Sequence, residues 1–176
     1  MNWKEKTLIN TFNDPWEYHI ADNFLPDELL SFAKDYPLQK GAERCFMNKH
    51  PKFYALKYWF DRKFSIPNST FRGEISKNLY HKPHSDDRLR KISIVVNISR
   101  SDESIEGTYL YNKDLSLNKI VPWKTNRALI FYPIENITFH GCQENINDKQ
   151  ERRVLVVSYV NEKGWKDKHQ LWDAQG

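Results

Sequence analysis

Three side chains stand out as a candidate ligand set: His84 and Asp86 in the run Tyr80-His81-Lys82-Pro83-His84-Ser85-Asp86-Asp87, and His140 in Thr138-Phe139-His140-Gly141-Cys142. On extended backbone, residues two apart point to the same face, about 6–7 Å apart along the chain, so His84 and Asp86 can converge on one cation. Two ligands hold an ion weakly, and His140, arriving from a distant segment, supplies the third. Two neutral imidazoles and one carboxylate on one face of an octahedron leave three positions open, a donor set suited to non-haem Fe(II). His81 lies three residues before His84, so on a regular strand it is expected to face away from both ligands.

A fourth residue completes the pattern. The stretch Glu151-Arg152-Arg153-Val154-Leu155-Val156-Val157-Ser158-Tyr159-Val160 opens with two arginines and then turns almost wholly apolar. A buried guanidinium requires an anionic partner, and its forked donors match a carboxylate. A diacid cosubstrate could supply that carboxylate. Arg152 and Arg153 face opposite ways on a strand, so only one can enter a site.

The elements that must hold these residues come in two parts. Pro26 sits where a first helical turn tolerates it, Asp27 and Glu28 favour the positive end of a helix dipole, and Leu29, Leu30, Phe32 and Ala33 form a stripe that Tyr36-Pro37 ends. A short strand is expected before it, near 16–25. A second helix is expected near 52–60, where Tyr54, Leu56, Tyr58 and Trp59 are dense, although a strand also fits. From about residue 70, β-rich runs alternate with turns: 71–80, 91–98, 107–112, 119–122, 127–132, 137–142 and 152–160. Such spacing reads as an all-β sandwich or barrel of seven or eight strands. Ile92–Ile98 and Val154–Val160 are nearly continuous aliphatic sequence and are expected to be central strands. The expected organisation is one domain over 1–176, with a helical lead (1–70), a β-sandwich core (71–160) and a C-terminal tail (161–176).

Composition agrees with a folded chain. The 176 residues are 39% hydrophobic and 14% aromatic, enough to fill one sizeable core. A net charge of +4, spread along the chain, reads as a solvated surface and disfavours nucleic acid as a partner. Two cysteines, Cys45 and Cys142, make no disulfide framework. No apolar run is long enough for a membrane span, and the N-terminus lacks a signal-peptide core, so a cytoplasmic, non-membrane protein is expected.

Over roughly residues 16–160 the sequence resembles the 2-oxoglutarate and Fe(II)-dependent oxygenase superfamily, especially compact members similar to prolyl hydroxylases. His84-Ser85-Asp86 looks like the first two iron ligands and Lys91–Ser99 like the long strand after them. Gly107-Thr108-Tyr109-Leu110-Tyr111 resembles the family's glycine-led strand, with Glu106 in place of a first glycine. Asn126–Phe131 leading to His140-Gly141 looks like the approach to the distal ligand. Asp22–Pro26 also resembles the start of many such domains. The resemblance implies a mostly β fold with N-terminal helices, a double-stranded β-helix (jelly roll, cupin-like). It implies an Fe(II) dioxygenase or hydroxylase that uses 2-oxoglutarate and O2 and releases succinate and CO2 on oxidising a small molecule or side chain. It also implies that Arg152 grips the far carboxylate of 2-oxoglutarate, and that Asn97, Ser93 and Tyr80 stand where cosubstrate contacts are made, with Asn97 departing from the common Tyr. The competing expectations are a non-catalytic jelly-roll binding module, with Trp59, Trp123 and Trp165 as platforms, and a metal cupin needing no 2-oxoglutarate. Substrate loops are expected at 40–70 and 100–106.

Overall fold

A computed structural model describes residues 9–38, 44–47, 50–64, 66–77, 80–99, 106–142 and 152–161. The 100–105 loop, Trp165 and the tail beyond 161 therefore lie outside the described residues. Ten strands and two helices are present among the described residues: β1 (Ile9–Phe12), β2 (Tyr18–Ala21), α1 (Asp27–Asp35), β3 (Arg44–Phe46), α2 (Phe53–Phe64), β4 (Thr70–Lys77), β5 (Arg90–Asn97), β6 (Gly107–Tyr111), β7 (Leu117–Pro122), β8 (Ala128–Phe131), β9 (His140–Cys142) and β10 (Arg153–Val160). They form a seven-stranded antiparallel sheet, ordered β1-β2-β8-β5-β10-β4-β3, and a three-stranded sheet, ordered β7-β6-β9. This is a jelly-roll architecture. The helical lead also contributes β1, β2 and β3 to the two edges of the large sheet.

Period-two patterning builds the large sheet. On β5, Ile92, Ile94 and Val96 enter the main core, while Ser93, Val95 and Asn97 face the other way. On β10, Leu155, Val157 and Tyr159 join the same core, leaving Val154, Val156 and Ser158 on the opposite face. Both strands are central and covered on both sides, which explains their near-continuous apolar sequence.

The helices cover the core face. On α2 the buried residues Phe53, Leu56, Phe60 and Phe64 fall at helical spacing, so periodicity settles this segment as helix and carries it to residue 64. Phe60 packs near Phe24, Phe64 and Phe71, with ring centroids 5.9, 5.9 and 5.5 Å away. Full burial of one such ring contributes about 1.5–3 kcal/mol. Helix α1 starts at Pro26 with no side-chain cap; Asp27 and Glu28 in its first turn complement the dipole instead. Its entry is held by Asn126, whose side chain accepts from Leu25 N (2.8 Å) and donates to Leu25 O (2.9 Å).

The small sheet closes the opposite face. Trp16, Tyr18, Leu110, Val121, Leu129 and Phe131 fill the space between the sheets. Gly107, with φ +131°, opens β6; a Cβ there would lie 2.0 Å from Val121 O, so only glycine fits. Away from this packed end, the gap between the sheets opens into a cavity.

Candidate metal centre and its cavity

The backbone itself brings the two histidines together. His84 N donates to His140 O (3.0 Å) and His140 N donates to His84 O (2.9 Å), a reciprocal antiparallel pair. Directly opposed residues in such a pair share a face, and the imidazole centroids lie 4.5 Å apart. Asp86, two residues on, falls on the same side. One ligand atom from each of His84, Asp86 and His140 lies within 4.8 Å of the other two. One ion bonding three donors at about 2.0–2.2 Å fits such a cluster.

The surroundings prepare each donor. His84 Nδ1 lies 2.9 Å from Lys82 O and His140 Nδ1 lies 3.1 Å from Thr138 O. A carbonyl can only accept, so both Nδ1 atoms carry the proton and both Nε2 atoms are left as ligands. Burial in the cavity holds the His140 pKa below its ordinary value, keeping the ring neutral, against the opposing pull of Asp86. Asp86 is 8% exposed. Burial acts to raise its pKa, but His140, Arg90, the Ser93 hydroxyl and His84 together bring it below the ordinary carboxylate value. Ser93 Oγ donates to Asp86 Oδ2 (2.5 Å), and Arg90 Nη1 lies 3.3 Å from Oδ1.

The cavity around this cluster measures about 340 Å³. Val95, Val154 and Val156 form an apolar wall, and Thr108, Gly141 and Cys142 face it from the small sheet. Arg152 lines the same cavity at 4% exposure, with its guanidinium 5.5 Å from the Trp123 ring centroid. Arg153 turns away, and its guanidinium donates to Tyr36 O. The two adjacent arginines thus lie on opposite faces, as strand alternation requires.

Other expected site residues are placed differently. Ser93 reaches Asp86 rather than lining the cavity, which makes it a support for the carboxylate. Asn97 is buried on the same strand face, and its side chain is not among the cavity-lining groups. Tyr80 is 38% exposed and does not line the cavity. The expectation that His81 faces away is corrected: its ring lies 5.1 Å from that of His84 and lines the cavity. The chain bends at Pro83, which breaks the strict alternation that expectation assumed. Burial, and then His84, lowers the His81 pKa to about 4, so it stands there as a neutral ring. Trp123 is buried against Arg152 and Trp59 packs its edge on Phe24 (5.2 Å), so neither is a flat exposed platform.

Two features escape a reading of the sequence. Arg90 has the wrong parity to join Ser93 and Val95, yet it reaches Asp86. The pairing with β10 jumps from Tyr159↔Ile92 to Val160↔Arg90, and this bulge turns Arg90 inward. The other is a charged wall on β3 and β4, where Arg44 Nε meets Glu74 Oε1 at 2.7 Å beside Ser76. Burial raises the Glu74 pKa, and Arg44, Arg90 and Arg72 oppose that rise. Alternation along β4 would have placed Glu74 opposite Gly73 and Ile75, but nothing in the sequence gives β3 as its partner.

No protein-family model matches this sequence, and neither does any curated protein. Solved structures do share the fold. A viral collagen prolyl hydroxylase from Paramecium bursaria Chlorella virus-1, in complex with 2-oxoglutarate, superposes with a TM-score of 0.58 at 15% identity, covering 84% of this chain and 97% of that one. A Trichoplax adhaerens prolyl hydroxylase, in complex with a hypoxia-inducible-factor peptide fragment, gives 0.58 at 14% identity over 83% and 84%. A Pseudomonas putida prolyl 4-hydroxylase gives 0.55 at 12% over 82% and 92%. At these identities the likeness is one of fold.

Proposed function

We propose that the chain is a member of the 2-oxoglutarate and Fe(II)-dependent oxygenases and hydroxylates an unactivated C–H bond. The observation that carries this reading is the convergence of His84, Asp86 and His140 in a cavity that Arg152 also lines. The donor set fits the ion: two imidazoles presenting Nε2 and one carboxylate whose charged form is favoured, a set that would hold Fe(II) with coordination positions left over. Bound there, Fe(II) would activate O2, the oxidant, so that decarboxylation of 2-oxoglutarate is coupled to oxidation of the substrate. The balance is 2-oxoglutarate, O2 and R–H giving succinate, CO2 and R–OH.

The chain's own residues do the rest. Lys82 O and Thr138 O fix the tautomers of the two imidazoles. Ser93 and Arg90 hold the Asp86 carboxylate in one orientation and favour its charged form. Arg152 binds the far carboxylate of 2-oxoglutarate in a forked grip, with Trp123 bounding the guanidinium. Val95, Val154 and Val156 keep water from the wall beside the reacting centre. The test is succinate release from 2-oxoglutarate with Fe(II) added or omitted. Release should depend on Fe(II) and stop in His84→Ala, and full activity in that variant would overturn the ligand assignment.

A further inference from the structure

The charged wall formed by Arg44 and Glu74 has no task in the chemistry above, and it is expensive to keep. Glu74 lies in the middle of β4, faces the interior of the sandwich and has a side chain only 14% exposed. A well-packed apolar pair at such a place is often as stable as a buried ion pair or more so. Arg44 is more open, with a side chain 46% exposed, so the pair runs from the cavity wall outward. One mutual contact also leaves capacity on both groups: a carboxylate offers about four lone-pair sites and a guanidinium five donors.

The cavity's charge balance narrows what can sit there. Among the described residues, Arg44, Arg90 and Arg152 face Glu74, Asp86 and Asp87, three cations against three anions. A divalent ion and a dianionic cosubstrate cancel each other in turn. The matching substrate is therefore neutral overall. At about 340 Å³ the cavity is at the small end for ligand sites and must take cosubstrate and substrate together. A peptide residue would set neutral amides against Glu74 and Arg44 and strip their water without replacing it, at a high cost.

We propose that this wall seats the head group of a free α-amino acid, with the ammonium on Glu74 and the carboxylate on Arg44, so that the side chain is presented to the metal centre. This rests on the oxygenase reading and deepens it. Each charge of the zwitterion meets its opposite, and the two ends are held by groups from adjacent strands whose register, Arg44↔Ser76 and Phe46↔Glu74, fixes their separation. Specificity for the zwitterion then comes from the charges themselves, because a substrate without the ammonium sets no cation against the largely buried Glu74, and one without the carboxylate gives up its contact with Arg44.

The test is succinate release by the Fe(II) enzyme with a panel of free α-amino acids, each paired with its N-acetyl, C-amide and α-hydroxy-acid analogues. At least one free amino acid should raise turnover tenfold or more above the substrate-free rate, and its blocked and deaminated analogues should not. In Glu74→Gln, nearly the same size as the native residue, the KM for that amino acid should rise about 30-fold or more, and discrimination against the α-hydroxy acid should vanish. Binding of Mn(II) and 2-oxoglutarate, followed by thermal shift, should persist in the variant. Equal stimulation by blocked analogues or peptides, no stimulation by any free amino acid, or an unchanged KM in Glu74→Gln would overturn the proposal while leaving the oxygenase reading intact. If neither succinate nor a Mn(II)-dependent shift with 2-oxoglutarate appears in the wild type, the oxygenase reading itself fails.

Discussion

Replacing Gly141 by alanine adds one methyl group at the point where the two ligand-bearing segments press together. An ideal Cβ at Gly141 would lie 2.6 Å from the His81 carbonyl oxygen and 3.3 Å from a ring carbon of Tyr111. Real Cβ contacts essentially never fall below 3.0 Å, and ordinary contact starts near 3.4 Å, so the segment at 81–82 must retreat by about 0.4–0.8 Å. That segment is tied to β9 by Cys142 N donating to His81 O (3.1 Å) and by the reciprocal pair between His84 and His140. The retreat therefore acts on the imidazole spacing directly. Overpacking of this kind costs about 1–3 kcal/mol of stability. Misplacing a reacting group by about 1 Å costs on the order of 100-fold in rate. Gly141→Ala should thus remain folded, melt several degrees lower, and bind Mn(II) at least tenfold more weakly by calorimetry. Wild-type affinity for the ion in this variant would refute the claim that close backbone approach at Gly141 sets the geometry of the ligands.

Ser93→Ala removes the hydroxyl that donates to Asp86 Oδ2 and should weaken metal binding about 10–100-fold with little change in melting temperature, as read by titration and thermal melt side by side. Asn126→Ala removes both bonds to Leu25 and puts alanine at φ +60°, so it should cost about 2–4 kcal/mol and lower Tm by roughly 5–12 °C in calorimetry. Asp22, held by Arg127 (2.7 Å) and Lys124 (2.8 Å), has its pKa lowered from 3.8 to about 2. The folded value is depressed, so this stabilisation is complete above about pH 4 and is lost as pH falls towards 2. With the side chain a third exposed, solvent screening leaves about 1 kcal/mol, and acid melts of Asp22→Asn should show a flatter pH dependence of stability through that window.

Much of the centre is legible in the sequence because strand arithmetic applies there. His84 and Asp86 share a face by their spacing of two, and Arg152 and Arg153 are separated by their spacing of one. The apolar runs of β5 and β10 mark central strands for the same reason. Where the backbone departs from regular alternation, the reading stops. The bend at Pro83 brings His81 beside His84, and the bulge opposite Val160 turns Arg90 onto Asp86. The lead shows the other limit. Its first helix is marked by Pro26 and the second only by an aromatic-dense stretch near 52–60 that fits a strand as well, while three- and four-residue strands such as β1 and β3 carry too few alternations to show. Their place at the sheet edges is set by partners distant in sequence. The same limit hid Glu74 and Arg44, each ordinary alone and meaningful only once β3 pairs with β4.

The central claim is that His84, Asp86 and His140 hold one divalent ion, and anaerobic calorimetric titration of Fe(II) or Mn(II) into the purified chain tests it most directly. One ion per chain should bind the wild type, with saturable binding lost in Asp86→Ala and in His140→Ala at unchanged far-ultraviolet circular dichroism. Equal affinity and stoichiometry in folded Asp86→Ala would contradict it.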